Sequence, residues 1–276
     1  EALHSTVEDG SYLRSTSRGV AVTLQNVTVR AAGHTILHDI TLNLAPGSHV
    51  ALVGASGAGK SSLVGLLLGW HRAAAGQVCI DGQPFTAARL EELRNQTAWV
   101  DPAVQLWNRT LFANLCYGGS DPLSTSLDRI INQADLLTVL EKMTDGLQTE
   151  LGEGGALVSG GEGQRVRLGR AMLRSDVRLV ILDEPFRGLD RVQRSLLLQR
   201  ARAWWCNATL ICITHDISET EQFERVVVMA QGRIVEDGTP QALAAHPTSH
   251  YRAMLDDEEE VRTQLWSAAE WRHMSI

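Results

Sequence analysis

Long hydrophobic runs are missing from this sequence. No stretch approaches the ~18 consecutive apolar residues of a membrane-spanning helix, so none is expected within it. Basic charge is also short: 25 Lys and Arg stand against 32 Asp and Glu, a formal net charge of −7. The chain therefore lacks the basic footprint that neutralises nucleic-acid phosphate, and no nucleic acid is expected as partner. Cysteine is sparse. Cys79, Cys116, Cys206 and Cys212 show no C-x-x-C spacing, which argues against a zinc site or a disulfide framework and fits a reducing cytosol. The opening residues lack the charged-then-apolar order of a signal peptide, so the N-x-[ST] triplets beginning at Asn26, Asn95, Asn108 and Asn207 read as chance matches. The first residue is Glu rather than Met, and residues 1–18 are polar and rich in Ser, Gly and charge, as a linker is. The chain is expected to be a piece of a longer protein.

What is present is enough apolar material for a substantial core: 44% of 276 residues are hydrophobic. Three apolar-alternating runs, 20–29, 35–44 and 48–53, are separated by Gly33 and by Pro46-Gly47, which predicts a small β-rich unit leading into a buried strand. A Gly-rich loop follows that strand, and a helix pattern follows the loop over 61–68. From about residue 90 to 174 strand signals are few and helical periodicity is clear in 127–140, which reads as a helical insertion. Short apolar strands at 179–182 and 209–213 flank a helical stretch over 191–204, the β-α-β rhythm of a parallel sheet. Residues 251–276, with Trp266 and Trp271, predict a C-terminal helical extension to a domain over 19–250.

Gly54, Ala55, Ser56, Gly57, Ala58, Gly59, Lys60 and Ser61 fit G-x-x-x-x-G-K-[ST]. Average composition gives such a match about once in a hundred chains of this length, and here strand and helix flank it as a phosphate-binding loop requires. The glycines let successive amides turn toward phosphate, and the helix adds its positive end. Lys60 is placed to reach the β- and γ-phosphates, Ser61 to offer Mg²⁺ a hydroxyl, and Ser62 to make a further phosphate contact. The apolar run 180–182 ends in Asp183 and Glu184. Side chains alternate along a strand, so the two carboxylates take different tasks, one on Mg²⁺ and one beside the γ-phosphate to polarise water.

A third element makes the pattern specific. Val158, Ser159, Gly160, Gly161, Glu162, Gly163, Gln164 and Arg165 open a predicted helix over 164–173 and resemble the signature sequence of ABC ATPases. In that family the signature Ser and glycines of one subunit close over the γ-phosphate held by the partner's loop, and Ser159, Gly160 and Gly161 take that role by position. Gly188, Leu189 and Asp190 resemble the D-loop of the dimer interface, and Thr214-His215 the switch histidine, which acts with Glu184 on the attacking water. Residues 147–155 resemble a segment found before the signature in exporters, where it touches the intracellular ends of transmembrane helices. The resemblance covers nearly all of residues 20–247. It implies an α/β fold, with a P-loop NTPase (RecA-like) core, an antiparallel β-subdomain and an inserted α-helical subdomain. It also implies Mg²⁺ held by Ser61 and Asp183, Glu184 with His215 and Lys60 as the catalytic set, and ATP bound and hydrolysed by a head-to-tail pair of cassettes. Such cassettes drive transmembrane domains from the cytoplasmic face of the membrane.

Two positions depart from that pattern. Exporter cassettes stack an aromatic residue on adenine where this chain has Arg30 or Ala31, and an arginine plane can stack where an alanine cannot. The glutamine that binds Mg²⁺ and senses the transmembrane domain falls at Asp101 or Pro102, with Asp101 and Gln105 as candidate substitutes. In the signature, Val158 replaces Leu, and Glu162 and Gly163 replace the usual Gln and long polar residue; glutamate there occurs in soluble members. Two rival readings follow. A soluble ABC ATPase of translation or DNA repair predicts tandem cassettes, long coiled coils or basic arms, none of which this sequence shows. A hydrolysis-weak regulatory cassette fits the departures at Ala31 and Pro102, and is opposed by the presence of Glu184 and His215.

Overall fold

The computed structural model describes residues 18–101, 103, 105–118 and 127–267. Residues 1–17 of the linker expected over 1–18, Pro102, and the end of the expected C-terminal extension with Trp271 lie outside the described residues.

Two sheets are built in succession. Strands β1 (Val22–Ala31), β2 (His34–Leu44), β4 (Ala73–Ile80) and β5 (Gln83–Pro84) form an antiparallel sheet in the order β2-β1-β4-β5. The larger sheet holds β3 (His49–Val53), β6 (Thr97–Val100), β7 (Leu179–Asp183), β8 (Thr209–Ile213), β9 (Arg225–Ala230) and β10 (Arg233–Gly238), in the order β10-β9-β3-β8-β7-β6. All its pairs are parallel except the edge pair β9·β10. Alternation divides the parallel strands cleanly. Val50, Leu52, Leu179, Ile181, Ile211, Ile213, Val227 and Met229 point to one core, against helix α1 (Lys60–Leu67) and the antiparallel sheet. Ala51, Val53, Val180, Leu182, Leu210, Cys212, Val226 and Val228 point to the other, which holds the helices. A parallel sheet covered on both faces needs apolar residues at every position, and these strands have them.

After α2 (Ala87–Asn95) the chain returns to the large sheet as β6, inside the span read as helical. The inserted helices are α3 (Leu111–Cys116), α4 (Leu127–Gln133), α5 (Leu137–Leu140) and α6 (Gly160–Met172). The periodic run 127–140 is broken between α4 and α5, where Asp135 adopts φ 55° and its carbonyl and carboxylate both accept from Arg165 Nη1 of α6. Helix α6 starts four residues earlier than the sequence pattern predicts, because Ser159 and Glu162 form a reciprocal capping box that lets two glycines enter the first turn. Helix α7 (Arg191–Trp204) joins β7 to β8, α8 (Pro240–Ala245) follows β10, and α9 (His250–Ser267) ends the described chain. No helix among the described residues is long and apolar enough to cross a membrane.

Candidate functional site: a phosphate-loop cleft

The site grows from the C-terminal edge of the parallel sheet, where ligands of such sheets bind. β3 delivers the chain to Gly54, whose φ of 149° and approach to the Met229 carbonyl leave no room for a side chain: an added Cβ would lie 2.2 Å from that oxygen. Gly59 closes the loop at φ 106° as the N-cap residue of α1. The loop is braced from outside by the β9–β10 hairpin. Its turn, Gln231-Gly232, has positive φ at both residues, donates from Gly232 N to Ala58 O at 2.9 Å and accepts from His38 N at 2.8 Å.

Lys60 is buried within this loop and donates to the carbonyls of Gly54 at 2.7 Å and Ala55 at 3.0 Å. Burial lowers its pKa, against the opposing charges of Glu184 and Asp183. An ammonium held by two neutral carbonyls beside turned-in amides is a site for a polyanion. The cleft above it measures about 410 Å³. It is lined by Ser56–Ser62, by Glu184 and His215, and by Thr35, Ile36, His38, Gln231 and Gly232.

Asp183 and Glu184 diverge as strand alternation requires. Burial pushes the Asp183 carboxyl up to about 6, with the charges of Asp101 and Glu184 adding and Lys60 opposing. Glu184 leaves the strand with φ 44°, a left-handed backbone that costs a non-glycine residue on the order of 1–3 kcal/mol and concentrates at functional sites. Its amide bonds Ile213 O at 3.0 Å, and its Oε1 lies 2.7 Å from His215 Nε2. Both side chains remain open to water, His215 at 49%. A carboxylate and an imidazole in contact at the rim of a phosphate cleft can orient a water and take its proton.

Ser61 and Asp183 supply a hydroxyl and a carboxylate, hard oxygen donors of the kind Mg²⁺ prefers, so the residues present fit that ion. Among the described residues no three His, Cys, Asp or Glu gather as a separate metal cluster. Asp101 is close enough to raise Asp183, while its Oδ1 accepts from Ala103 N. Gln105 is exposed and its carbonyl accepts from Arg170 Nη1. Neither Arg30 nor Ala31 lines the cleft; β2 places Thr35, Ile36 and His38 there instead.

The structure thus brings together Ser56–Ser62, Glu184 and His215, with Gly54 and Ala55 holding Lys60 from behind. It does not bring Ser159, Gly160, Gly161 or Asp190 into that cleft. Those residues meet one another elsewhere: a Cβ added at Gly161 would lie 2.5 Å from Leu189 Cδ2, so the start of α6 sits directly on the 188–190 loop. Asp190 caps α7 by accepting from Gln193 N at 2.9 Å, and Ser159 and Gly160 are exposed. The cleft residues of β2 and of the hairpin turn escaped the sequence reading. The Gln-Gly pair between apolar runs is a hairpin signal that locates the turn, but nothing local says which loop it braces.

The family model for ABC transporter matches residues 37–187. The chain is 39% identical over 209 residues to ATP-dependent lipid A-core flippase 1 of Colwellia psychrerythraea, covering 76% of this chain and 35% of that protein. It is 34% identical over 244 residues to the heterocyst differentiation ATP-binding protein HepA of a Nostoc species, covering 88% and 38%. The chain spans little more than a third of the length of these relatives. Among solved structures, a bacterial Atm1-family ABC exporter with ATP bound superimposes with a TM-score of 0.82 at 30% identity, covering 90% of this chain and 43% of that one. With the family model matched over more than half its length, and with a phosphate loop, paired carboxylates and a histidine set around one cleft, this chain belongs to the ABC transporter family.

Proposed function

We propose that the chain binds Mg·ATP in the phosphate-loop cleft, hydrolyses it to ADP and phosphate, and does so as one of two head-to-tail cassettes that drive an exporter from the cytoplasmic face of the membrane. The observation that carries hydrolysis is the 2.7 Å contact between His215 Nε2 and Glu184 Oε1 at the rim of the cleft that holds Lys60. Glu184 takes a proton from a water held with His215, the water oxygen bonds to the γ-phosphorus, and the bond to the bridging oxygen of ADP breaks. Lys60 and the loop amides hold the phosphate oxygens in line, where positioning and charge neutralisation supply most of the rate gain. Ser61 and Asp183 would hold Mg²⁺, which would supply further charge neutralisation there.

The pairing of cassettes is supported by the distance in chain and space between the two halves of the chemistry. Ser159 and Gly160 face solvent at the start of α6, away from their own cleft. Coupling to transmembrane domains is supported by a groove of about 300 Å³ between the sheet and the inserted helices, lined by Leu68, Trp99, Tyr117, Arg94, Arg170 and Arg174. Trp70 and Tyr117 are more than half exposed beside it. The segment 147–155 is tied to the same region through Leu111 N to Thr149 O and Leu151 N to Arg109 O.

The test is Mg²⁺-dependent ATP hydrolysis against protein concentration, with Glu184→Gln alongside. Turnover should rise more steeply than linearly and fall at least about 100-fold in the variant while ATP still binds. Turnover unaffected by Glu184→Gln would remove Glu184 as the base.

A further inference from the structure

The residues that follow His215 are held more firmly than a solvent-facing turn needs. Asp216 opens a 3-10 turn over Ile217–Gln222 without capping it through its own side chain. Helix α9 caps it instead: Glu258 Oε2 accepts from Ile217 N at 2.7 Å and from Ser218 N at 3.2 Å. Two helical turns earlier on the same face, Tyr251 is fully buried, and its hydroxyl lies 2.6 Å from that of Thr220. Between them Met254 and Leu255 pack against the core. From the other side, Arg194 of α7 pairs with Asp216, and with Glu219 at 3.3 Å. Thr214 accepts from Asp216 N at 3.1 Å and donates to Glu219 Oε2 at 3.0 Å. His215 sits inside this frame with its ring half exposed and its Nε2 on Glu184, so the backbone that carries it contributes to where it points.

The carboxyls of Asp216 and Glu258 also bond each other. Burial, the Asp216 charge and that bond push Glu258 up; burial pushes Asp216 the same way, but Ser218, Glu258 and Arg194 together hold it below its ordinary value. Of the two carboxyls, Glu258 is thus the one biased toward its protonated form. Its Oε2 accepts from the turn.

We infer that Glu258 is a positioning residue for the hydrolytic site: by capping Ile217 and Ser218 it fixes the backbone that presents His215 to Glu184, which makes α9 part of the switch. The inference rests on the role proposed for His215 and Glu184. Glutamine at this position keeps both an acceptor for the two amides and a donor for Asp216, whereas alanine keeps neither.

The experiment compares Glu258→Ala, Glu258→Gln, Glu259→Ala, His215→Ala and the His215→Ala/Glu258→Ala double variant in the full chain. It reads kcat, ATP affinity, melting temperature and amide exchange at Ile217 and Ser218. Glu258→Ala should lower kcat about tenfold with ATP affinity unchanged, and Glu258→Gln should return it to within about twofold. The neighbour control Glu259→Ala should match the unaltered chain, and the double variant should be no slower than His215→Ala alone. Exchange at the two amides should quicken in the alanine variant and not in the glutamine one. Unchanged kcat in Glu258→Ala beside an inactive His215→Ala overturns the inference and leaves the reading of the site standing, whereas full turnover in His215→Ala overturns that reading itself. Equal losses of kcat and melting temperature in the alanine and glutamine variants also overturn the inference, because residue 258 then serves the fold alone.

Discussion

Asp183 and Glu184 are neighbours in the chain, yet the end of β7 gives them opposite surroundings. Asp183 is desolvated, and its carboxyl rises from the usual 3.8 to about 6, while Glu184 turns out through a left-handed backbone toward His215. A raised carboxyl pKa means the folded chain holds its proton more tightly than the unfolded chain does. Stability then falls as pH rises from about 4 to 6, and above 6 the whole cost of the buried charge is present. Asp183→Asn should accordingly raise stability at pH 7.5 by about 1–2 kcal/mol, after discounting the shift for partial solvation. The gain should vanish below about pH 4. Urea denaturation of the nucleotide-free, metal-free chain at both pH values measures it; a gain independent of pH would mean that packing rather than charge is responsible. Adjacent carboxylates and the strand before them were legible in the sequence, because alternation is a local rule. The side of the cleft made by Thr35, Ile36, His38 and Gly232 was not, because those residues reach it only through pairings between strands far apart in the chain.

Between residue and molecule, the inserted helices are tied together by one side chain. Asn114 is fully buried in α3; its Oδ1 accepts from Trp107 N at 2.8 Å and from Arg170 Nη2 at 2.9 Å, and its amide nitrogen donates to the carbonyls of Trp107, Arg109 and Thr110. Arg170 carries the link from α6 to the carbonyls of Asn114 and Gln105. Loop, α3 and α6 are therefore bonded into one unit, and Ser159 caps the helix that belongs to it. Asn114→Ala leaves a buried guanidinium and several backbone groups short of partners, and should destabilise the chain by about 2–4 kcal/mol with Lys60 and its loop unaffected. Thermal unfolding beside ATP binding checks this, and a loss under 1 kcal/mol would mean that water replaces the network. The element pattern itself was readable where periodicity was strong: β3, the phosphate loop, α1, β7, α7 and β8 lie where alternation and turn residues put them. It misled where tertiary contacts decide. Thr97–Val100 looks too short and too close to helices to announce a strand, yet pairing with β7 makes it one. The break at Asp135 depends on Arg165, thirty residues away. The early start of α6 depends on a capping box that a run of glycines hides.

At the scale of the whole molecule, the phosphate cleft and the start of α6 are separate surfaces that share no lining residue. The phosphate cleft opens between β2, α1 and the β9–β10 turn, while the α6 start and the 188–190 loop form a separate face. That second face is flanked by apolar side chains a monomer has no use for: Leu157 is 70% exposed two residues before Ser159, and Val192 is 78% exposed two residues after Asp190. Head-to-tail pairing would set this face over a partner's cleft and withdraw both side chains from water. Leu157→Glu tests the arrangement without touching either site, since an exposed substitution should change stability by under about 0.5 kcal/mol. In the Glu184→Gln background, where ATP persists, the chain should run as a dimer with Mg·ATP and as a monomer without it, read by light scattering after size exclusion. Adding Leu157→Glu should return it to the monomer at the same ATP occupancy. If the Glu184→Gln chain stays monomeric with ATP fully bound, pairing does not follow from nucleotide alone, and closure needs the transmembrane domains to hold two cassettes together. If it dimerises and Leu157→Glu has no effect, the second face is not the one that meets the partner, and the exposed leucine needs another occupant.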